Sequence, residues 1–261
     1  MDERRMELIG LRTRIIRPGD DMVRVISDAL ERQGLALQSR DVIILAESAV
    51  ATAEGRVIPL DSVTPGAQAM QLAEKYCIDP RKMQLILQEC DEVLGGIPGV
   101  AVTITKGVLS ANAGIDCSNA PPGFVVLLPA DPKKSALEMS RRLSDTYGAD
   151  IGVIIGDSRT QPLRLGCMGI ALGCAGIEPV EDARGTKDLF GRPLEVTRKA
   201  IADNLVSAAE IIMGEADEQT PAVLVRGAPV NFKDGDAEIP LIAREECMYF
   251  GIFNAKSAWY R

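Results

Sequence analysis

The feature that most constrains this chain's architecture is a two-residue gap. Lys106-Gly107 separates the strand-like runs Val100 to Thr105 and Val108 to Ala111. So short a connection joins antiparallel neighbours, because a parallel pair needs a crossover of a dozen or more residues. Part of the sheet is therefore expected to be antiparallel, which argues against a pure doubly wound architecture. Helical signals surround the hairpin. Asp20 and Asp21 precede an apolar stripe of Met22, Val25, Ile26, Ala29 and Leu30, with Gly34 as the stop. Gly66 to Tyr76 predicts a second helix. A third follows Pro80, with Met83, Ile86, Leu87 and Cys90 on one face. Asp131-Pro132 opens a helix that should run to Tyr147 and stop at Gly148. Pro193 to Met213 holds the longest helical pattern. Buried strands are expected at Val42 to Ala46, Phe124 to Leu128, Ile151 to Ile155 and Ala222 to Val225. GIALGCAG, Gly169 to Gly176, reads as a strand whose glycines allow close packing. The expectation is an α+β fold with mixed, largely antiparallel sheets and packed helices.

Composition narrows the chemistry. None of the 261 residues is histidine, which excludes a Ser-His-Asp or Cys-His relay and any histidine-ligated metal. An enzyme built from this chain is expected to rest on carboxylates, hydroxyls and cationic side chains, with a bound metal as the expected helper. The formal charge of −8 is the wrong sign for neutralising phosphates along a nucleic acid, so no nucleic-acid partner is expected. Six cysteines stand at 77, 90, 117, 167, 174 and 247 without a C-x-x-C pair. They read as small core residues in a reducing compartment. With no apolar leader and no run of about 18 apolar residues, the chain is expected to be cytoplasmic and free of the membrane.

Three acidic residues share a context. Asp116 follows SANAGI, Asp157 follows IGVIIG, and Glu215 lies in MGE after the last long helical pattern. Each carboxylate falls at the end of an apolar element, where it meets solvent or ligand. Hard oxygen donors so placed suit Mg²⁺ or Mn²⁺ with nucleotide phosphates, and Ser158 adds a hydroxyl. Ordinary polar capping explains the same positions. Neither G-x-x-x-x-G-K-[ST] nor G-x-G-x-x-G occurs, so any phosphate site uses another scaffold. Arg159, Arg164, Arg184, Lys187, Arg192 and Arg198 form either an anion-binding rim or a solvated loop, with Asp182 and Asp188 interleaved.

Together, AESAVATAEGRVI (46–58), SANAGIDCSNAPPG (110–123), IGVIIGDS (151–158), KDLFGRPLEVTRKAIADNLVSAAEIIMGE (187–215) and PAVLVRGAPV (221–230) resemble the GTP-dependent ligases that add glutamate to the precursor of the deazaflavin coenzyme F420. The resemblance covers about residues 8 to 230, leaving 231–261 as an extension of unassigned role. It implies an intertwined α+β homodimer, GTP as co-substrate, Mg²⁺ or Mn²⁺, and the F420 precursor and L-glutamate as substrates joined through an acyl phosphate. By the same resemblance Asp116, Asp157, Ser158 and Glu215 hold metal. Nucleotide contacts fall on Thr13, Arg14, Ile15, Ile16, Glu47, Ser48, Asn119, and Met213, Gly214, Glu215, Ala216, Asp217, Glu218, Gln219 and Thr220. The family usually carries Ser-Lys where this chain has Ala51-Thr52, so a phosphate-directed cation is missing. Arg56 and Arg159 are the expected replacements. The other readings are a paralogous ligase with a different acceptor or amino acid, and a non-catalytic dimer that binds nucleotide or deazaflavin.

Overall fold

The computed structural model describes residues 5–250. In chain order its elements are β1 (Glu7–Leu11), α1 (Met22–Arg32), β2 (Asp41–Ala46), α2 (Glu47–Ala53), β3 (Val57–Pro59), α3 (Ala67–Tyr76), α4 (Pro80–Glu89), β4 (Glu92–Ile97) and β5 (Val100–Thr105). There follow β6 (Val108–Ala111), β7 (Phe124–Val126), α5 (Pro132–Tyr147), β8 (Ile151–Thr160), β9 (Cys167–Ile177), β10 (Val180–Asp182), β11 (Arg198–Ala200), α6 (Ile201–Met213), β12 (Ala222–Arg226) and β13 (Phe232–Ala237). The architecture is mixed α+β. The helix starts follow the expected chemistry: Asp21, Asp79 and Asp131 each accept a backbone N–H of the first turn. Gly148, at φ 62°, ends α5.

The apolar runs assemble into a six-stranded sheet of order β1-β12-β2-β8-β9-β13. Every neighbouring pair is antiparallel except β2 and β8, which run parallel from Asp41↔Ile151 to Ala46↔Gly156. Strand alternation sorts the core. Ile43, Leu45, Val153 and Ile155 pack with α1 and α5, whereas Val42, Ile44 and Ile154 pack with α6. A smaller core under β4-β5-β6 takes Ala73 and Tyr76 from α3 and Met83, Leu85 and Ile86 from α4. Its β5–β6 hairpin turns at Lys106 and Gly107, both at positive φ (51° and 79°), the geometry that a two-residue loop requires.

Glycines in β9 let both helices approach. A Cβ on Gly169 would strike Val206 and the Ser207 backbone of α6, and one on Gly173 would strike the Pro132 backbone of α5. Close packing is thus the role of GIALGCAG. This strand is internal to the sheet, flanked by β8 and β13, so its apolarity reflects burial between helices rather than an edge awaiting a partner.

Four expectations are corrected. The pattern from Pro193 becomes helical only at Ile201, because Arg198–Ala200 pairs with Val180–Asp182 as β11. The longest helix is instead α5, among the described residues. The strand from Ile151 does not end at Asp157; it passes a bulge between Ile155 and Gly156 and stays paired with β9 to Thr160. Of the cysteines only Cys174 is buried, while Cys77, Cys117 and Cys167 are exposed. The basic segment is tied locally: Arg184 and Arg198 face Asp182, and Arg192 faces Asp188, the solvated-loop reading. Part of the C-terminal extension contributes β13, and 251–261 lie outside the described residues. No described helix is long and apolar enough to cross a membrane.

Candidate active site

The parallel pair sets the site. Because β2 and β8 run the same way in register, their carboxyl ends bring Glu47 and the Gly156–Ser158 segment to one edge of the sheet. Such an end is the usual place for a ligand in a sheet containing parallel strands. The bulge before Gly156 re-aims the strand there. Gly156 itself is needed because any Cβ would collide with Val206 of α6. The same helix ends beside this edge, where the Gly214 amide caps it on the Glu210 carbonyl at 2.9 Å and releases Glu215. The smaller unit supplies Asp116, bridged to Val126 through both backbone groups. Two further backbone bonds close the wall: Thr13 N–H to the Gln219 carbonyl and Ala46 N–H to the Pro221 carbonyl, both 2.9 Å.

These segments enclose a cavity of about 380 Å³. It is lined by Thr13, Arg14, Ile15, Ile16, Glu47, Ser48, Asn119, Asp116, Ser158 and Met213 to Thr220, so segments scattered over some 200 residues of sequence meet at one place. Asp157 is not itself in the lining; it lies half-buried between Gly156 and Ser158, which are. Of the two arginines expected at the phosphates, Arg56 is committed elsewhere. Its Nε donates to the Leu128 carbonyl at 2.9 Å and its Nη2 to Glu89 at 2.5 Å, and it does not line the cavity. Arg159 does not line it either; its Nε is buried without a hydrogen-bond partner, and its charge acts on Asp157.

The carboxylates act on one another. Burial, and then the charges of Asp116 and Glu215, push Asp157 up to about 7, against the downward pull of the Ser158 amide and Arg159. Burial and Asp157 raise Glu47 well above the usual carboxylate range. Glu210 is pushed to about 7 by burial, then by Glu215 and Asp157. Asp116 accepts from the Ser118 amide at 2.8 Å and from its hydroxyl at 2.5 Å, which orients the carboxylate. Buried like charges are tolerated only when protons or cations offset them. An all-oxygen donor set selects hard divalent ions. The residues present therefore fit Mg²⁺ or Mn²⁺. Among the described residues no three His, Cys, Asp or Glu side chains form a ready-made cage; magnesium characteristically takes one or two carboxylates and completes its shell with water and phosphate.

Glu210 was not singled out from the sequence. The available signal was its spacing: Val206 and Glu210 stand four apart on α6 and both line the cavity. Its carboxylate interrupts an otherwise small and apolar face.

The family model described as F420-0:Gamma-glutamyl ligase matches residues 10–227. The chain is 45% identical over 215 residues to the coenzyme F420:L-glutamate ligase of Methanopyrus kandleri, covering 82% of this chain and 83% of the relative. It is 40% identical over 238 residues to the enzyme of the same name from Methanothermobacter thermautotrophicus (90% and 94% covered). Against that of Methanocaldococcus jannaschii it is 38% identical over 249 residues (95% and 98%). With its motifs gathered around one carboxylate-rich cavity and its length matched almost throughout, the chain belongs to the F420-0:gamma-glutamyl ligase family.

Proposed function

We propose that this protein joins L-glutamate to a carboxylate of the coenzyme F420 precursor, using GTP and a divalent ion and passing through an acyl phosphate. The observation that carries the reading is the convergence of the family's motif segments on the cavity at the carboxyl ends of β2 and β8. In this scheme a substrate carboxylate oxygen bonds to the γ-phosphorus and the bond to the GDP oxygen breaks. The glutamate nitrogen then bonds to the acyl carbon, inorganic phosphate leaves, and the nitrogen loses a proton. Asp116, Asp157, Ser158 and Glu215 would hold Mg²⁺ or Mn²⁺, which would neutralise phosphate charge there.

The chain's own groups do the rest. Thr13 to Ile16 and Met213 to Thr220 both line the cavity and are tied by the Thr13–Gln219 bond, and Ile16, Val126 and Met213 add apolar surface. Glu210, which lines the cavity, would take the proton released by the incoming amine onto a side-chain oxygen. Purified protein with the precursor, glutamate, GTP and Mn²⁺ should yield a product heavier by one glutamate residue in mass spectrometry. No such product, with precursor recovered unchanged, would rule the reading out.

We also propose a homodimer. Its support is the apolar surface left on excursions from the main sheet: Leu163 and Leu165 between β8 and β9, and Leu189, Phe190 and Val196 between β10 and β11, are all largely or fully exposed. Exposed apolar side chains in such number mark a surface built to be covered.

A further inference from the structure

We propose that Thr103 is a positioning residue for Asp116: its buried hydroxyl braces a left-handed turn, Asn112-Ala113-Gly114, that delivers Asp116 to the cavity. The inference rests on the reading of Asp116 as a metal ligand. Three successive residues have positive φ in this turn, Asn112 at 52°, Ala113 at 58° and Gly114 at 72°. The Ile115 amide closes it on the Asn112 carbonyl at 3.0 Å. Ala113 and Gly114 are the central residues, and positive φ at both makes the mirror image of the commonest turn. Gly114 suits the conformation, and a Cβ there would also strike Leu128. Asparagine tolerates the region, whereas alanine has only its Cβ clash and no side-chain hydrogen bond to offset it. Such a backbone persists only where its surroundings over-determine it.

Two side chains supply that constraint. Thr103 lies in β5 and is fully buried. Its Oγ1 donates to the Ser110 carbonyl at 3.1 Å, which uses its only proton. The lone pairs are then left to accept the Ala113 amide at 3.2 Å and the Thr105 hydroxyl at 3.1 Å. Asn112 makes the second clamp. Its Oδ1 accepts the Ala101 amide at 2.8 Å, and its Nδ2 donates to the Gly99 carbonyl at 3.4 Å. Ala113 is itself buried in the smaller core with Ala101, Ile115 and Val125. Beyond the turn, Asp116 exchanges both backbone bonds with Val126, at 3.0 and 2.9 Å. Residues 112–115 thus carry the chain from the end of β6 to the cavity wall. A turn of the ordinary hand would send the following residues along another path, away from the Val126 bridge. Thr103 does not line the cavity, so it reaches Asp116 only through the backbone.

The test uses the full chain without nucleotide and reads two quantities. One is amide hydrogen exchange of the metal-free protein; the other is Mn²⁺ affinity, from the electron spin resonance signal of the free ion. Thr103→Val keeps the side chain's shape and removes the hydroxyl, whereas Thr103→Ser keeps the hydroxyl. Exchange across 112–116 should rise about 10-fold in Thr103→Val, the scale of one lost buried hydrogen bond. It should stay near wild type in Thr103→Ser, and exchange in α3 and α4 should not change in either variant. Mn²⁺ should bind Thr103→Val about 3- to 10-fold more weakly, at or below the lower end for groups that orient a metal ligand. Asp116→Asn should weaken it by about 10-fold or more. Asn112→Ala removes the other clamp and carries the same expectations if Thr103→Val does not fold. Unchanged exchange at 112–116 would overturn the brace, as would an equal rise in α3 and α4. An opened turn with wild-type Mn²⁺ affinity, while Asp116→Asn binds weakly, would overturn the positioning role alone. Should Asp116→Asn bind Mn²⁺ as wild type does, the reading of Asp116 as a metal ligand fails, and the positioning role fails with it.

Discussion

At the scale of single residues, Asp157 links stability to function. Its carboxyl titrates near 7 in the folded chain, against about 4 when free. The native state therefore holds the proton more tightly than the unfolded state does. Stability from this group is complete below about pH 4 and is lost as pH rises through 7. Glu210, also near 7, acts in the same sense. The metal-free protein should thus melt at falling temperature from pH 5 to 8, with Asp157 contributing on the order of 2–4 kcal/mol. Mn²⁺ needs the ionised form, so its stabilising effect should grow over the same interval. Calorimetry of wild type and Asp157→Asn with and without Mn²⁺ checks this. A variant with the wild-type pH slope would mean that the burial and like charges around Asp157 do not govern its proton.

At the scale of elements, the β9 glycines decide how the layers meet. Gly173→Ala places a methyl against the Pro132 backbone at the start of α5, and backbone cannot rotate away as a side-chain tip can. A loss of about 2–3 kcal/mol is expected in urea unfolding, the scale of overpacking. Gly95→Ala in β4 is the control: its Cβ meets nothing within 4 Å and should change stability by less than about 0.5 kcal/mol. Equal effects would show that the approach of α5 to β9 is not the constraint. Elements with local signals were legible in the sequence: the β5–β6 hairpin from its turn residues, α5 from its Asp-Pro start and glycine stop. The stretch before α6 was not. Its helical periodicity continues back to Pro193, but Arg198–Ala200 finds a ladder partner only when β10 is already in place, and that pairing is not encoded locally.

For the whole molecule, the proposed dimer rests on exposed loops and not on the main sheet. GIALGCAG is covered within one chain by α5, α6 and β13, so it leaves no edge for a partner. The uncovered apolar side chains lie instead on the long connections around Leu163, Leu165, Leu189 and Phe190. Light scattering at micromolar concentration should give twice the chain mass of 28.0 kDa. Phe190→Asp with Leu165→Asp should shift the species to monomer with its helix content retained. A wild-type monomer would contradict the proposal.

The sequence by itself determined most elements and marked the segments that meet at the cavity. Caps, turns and apolar periods act over a few residues, and Asp116, Asp157, Ser158 and Glu215 lie in motifs of the same short reach. It could also bar whole classes of chemistry, since a chain without histidine cannot run a histidine relay. Tertiary structure decided what those pieces do to one another. Only the parallel register of β2 and β8 brings Glu47 beside Asp157. Burial there raises the carboxyls, and Glu210 joins them from a helix turn that looked merely apolar. The choice among arginines was also tertiary. Arg56 stands in a matched motif yet spends its donors on Glu89 and Leu128. A guanidinium's availability depends on which acceptors the fold places around it, and those lie far away in sequence.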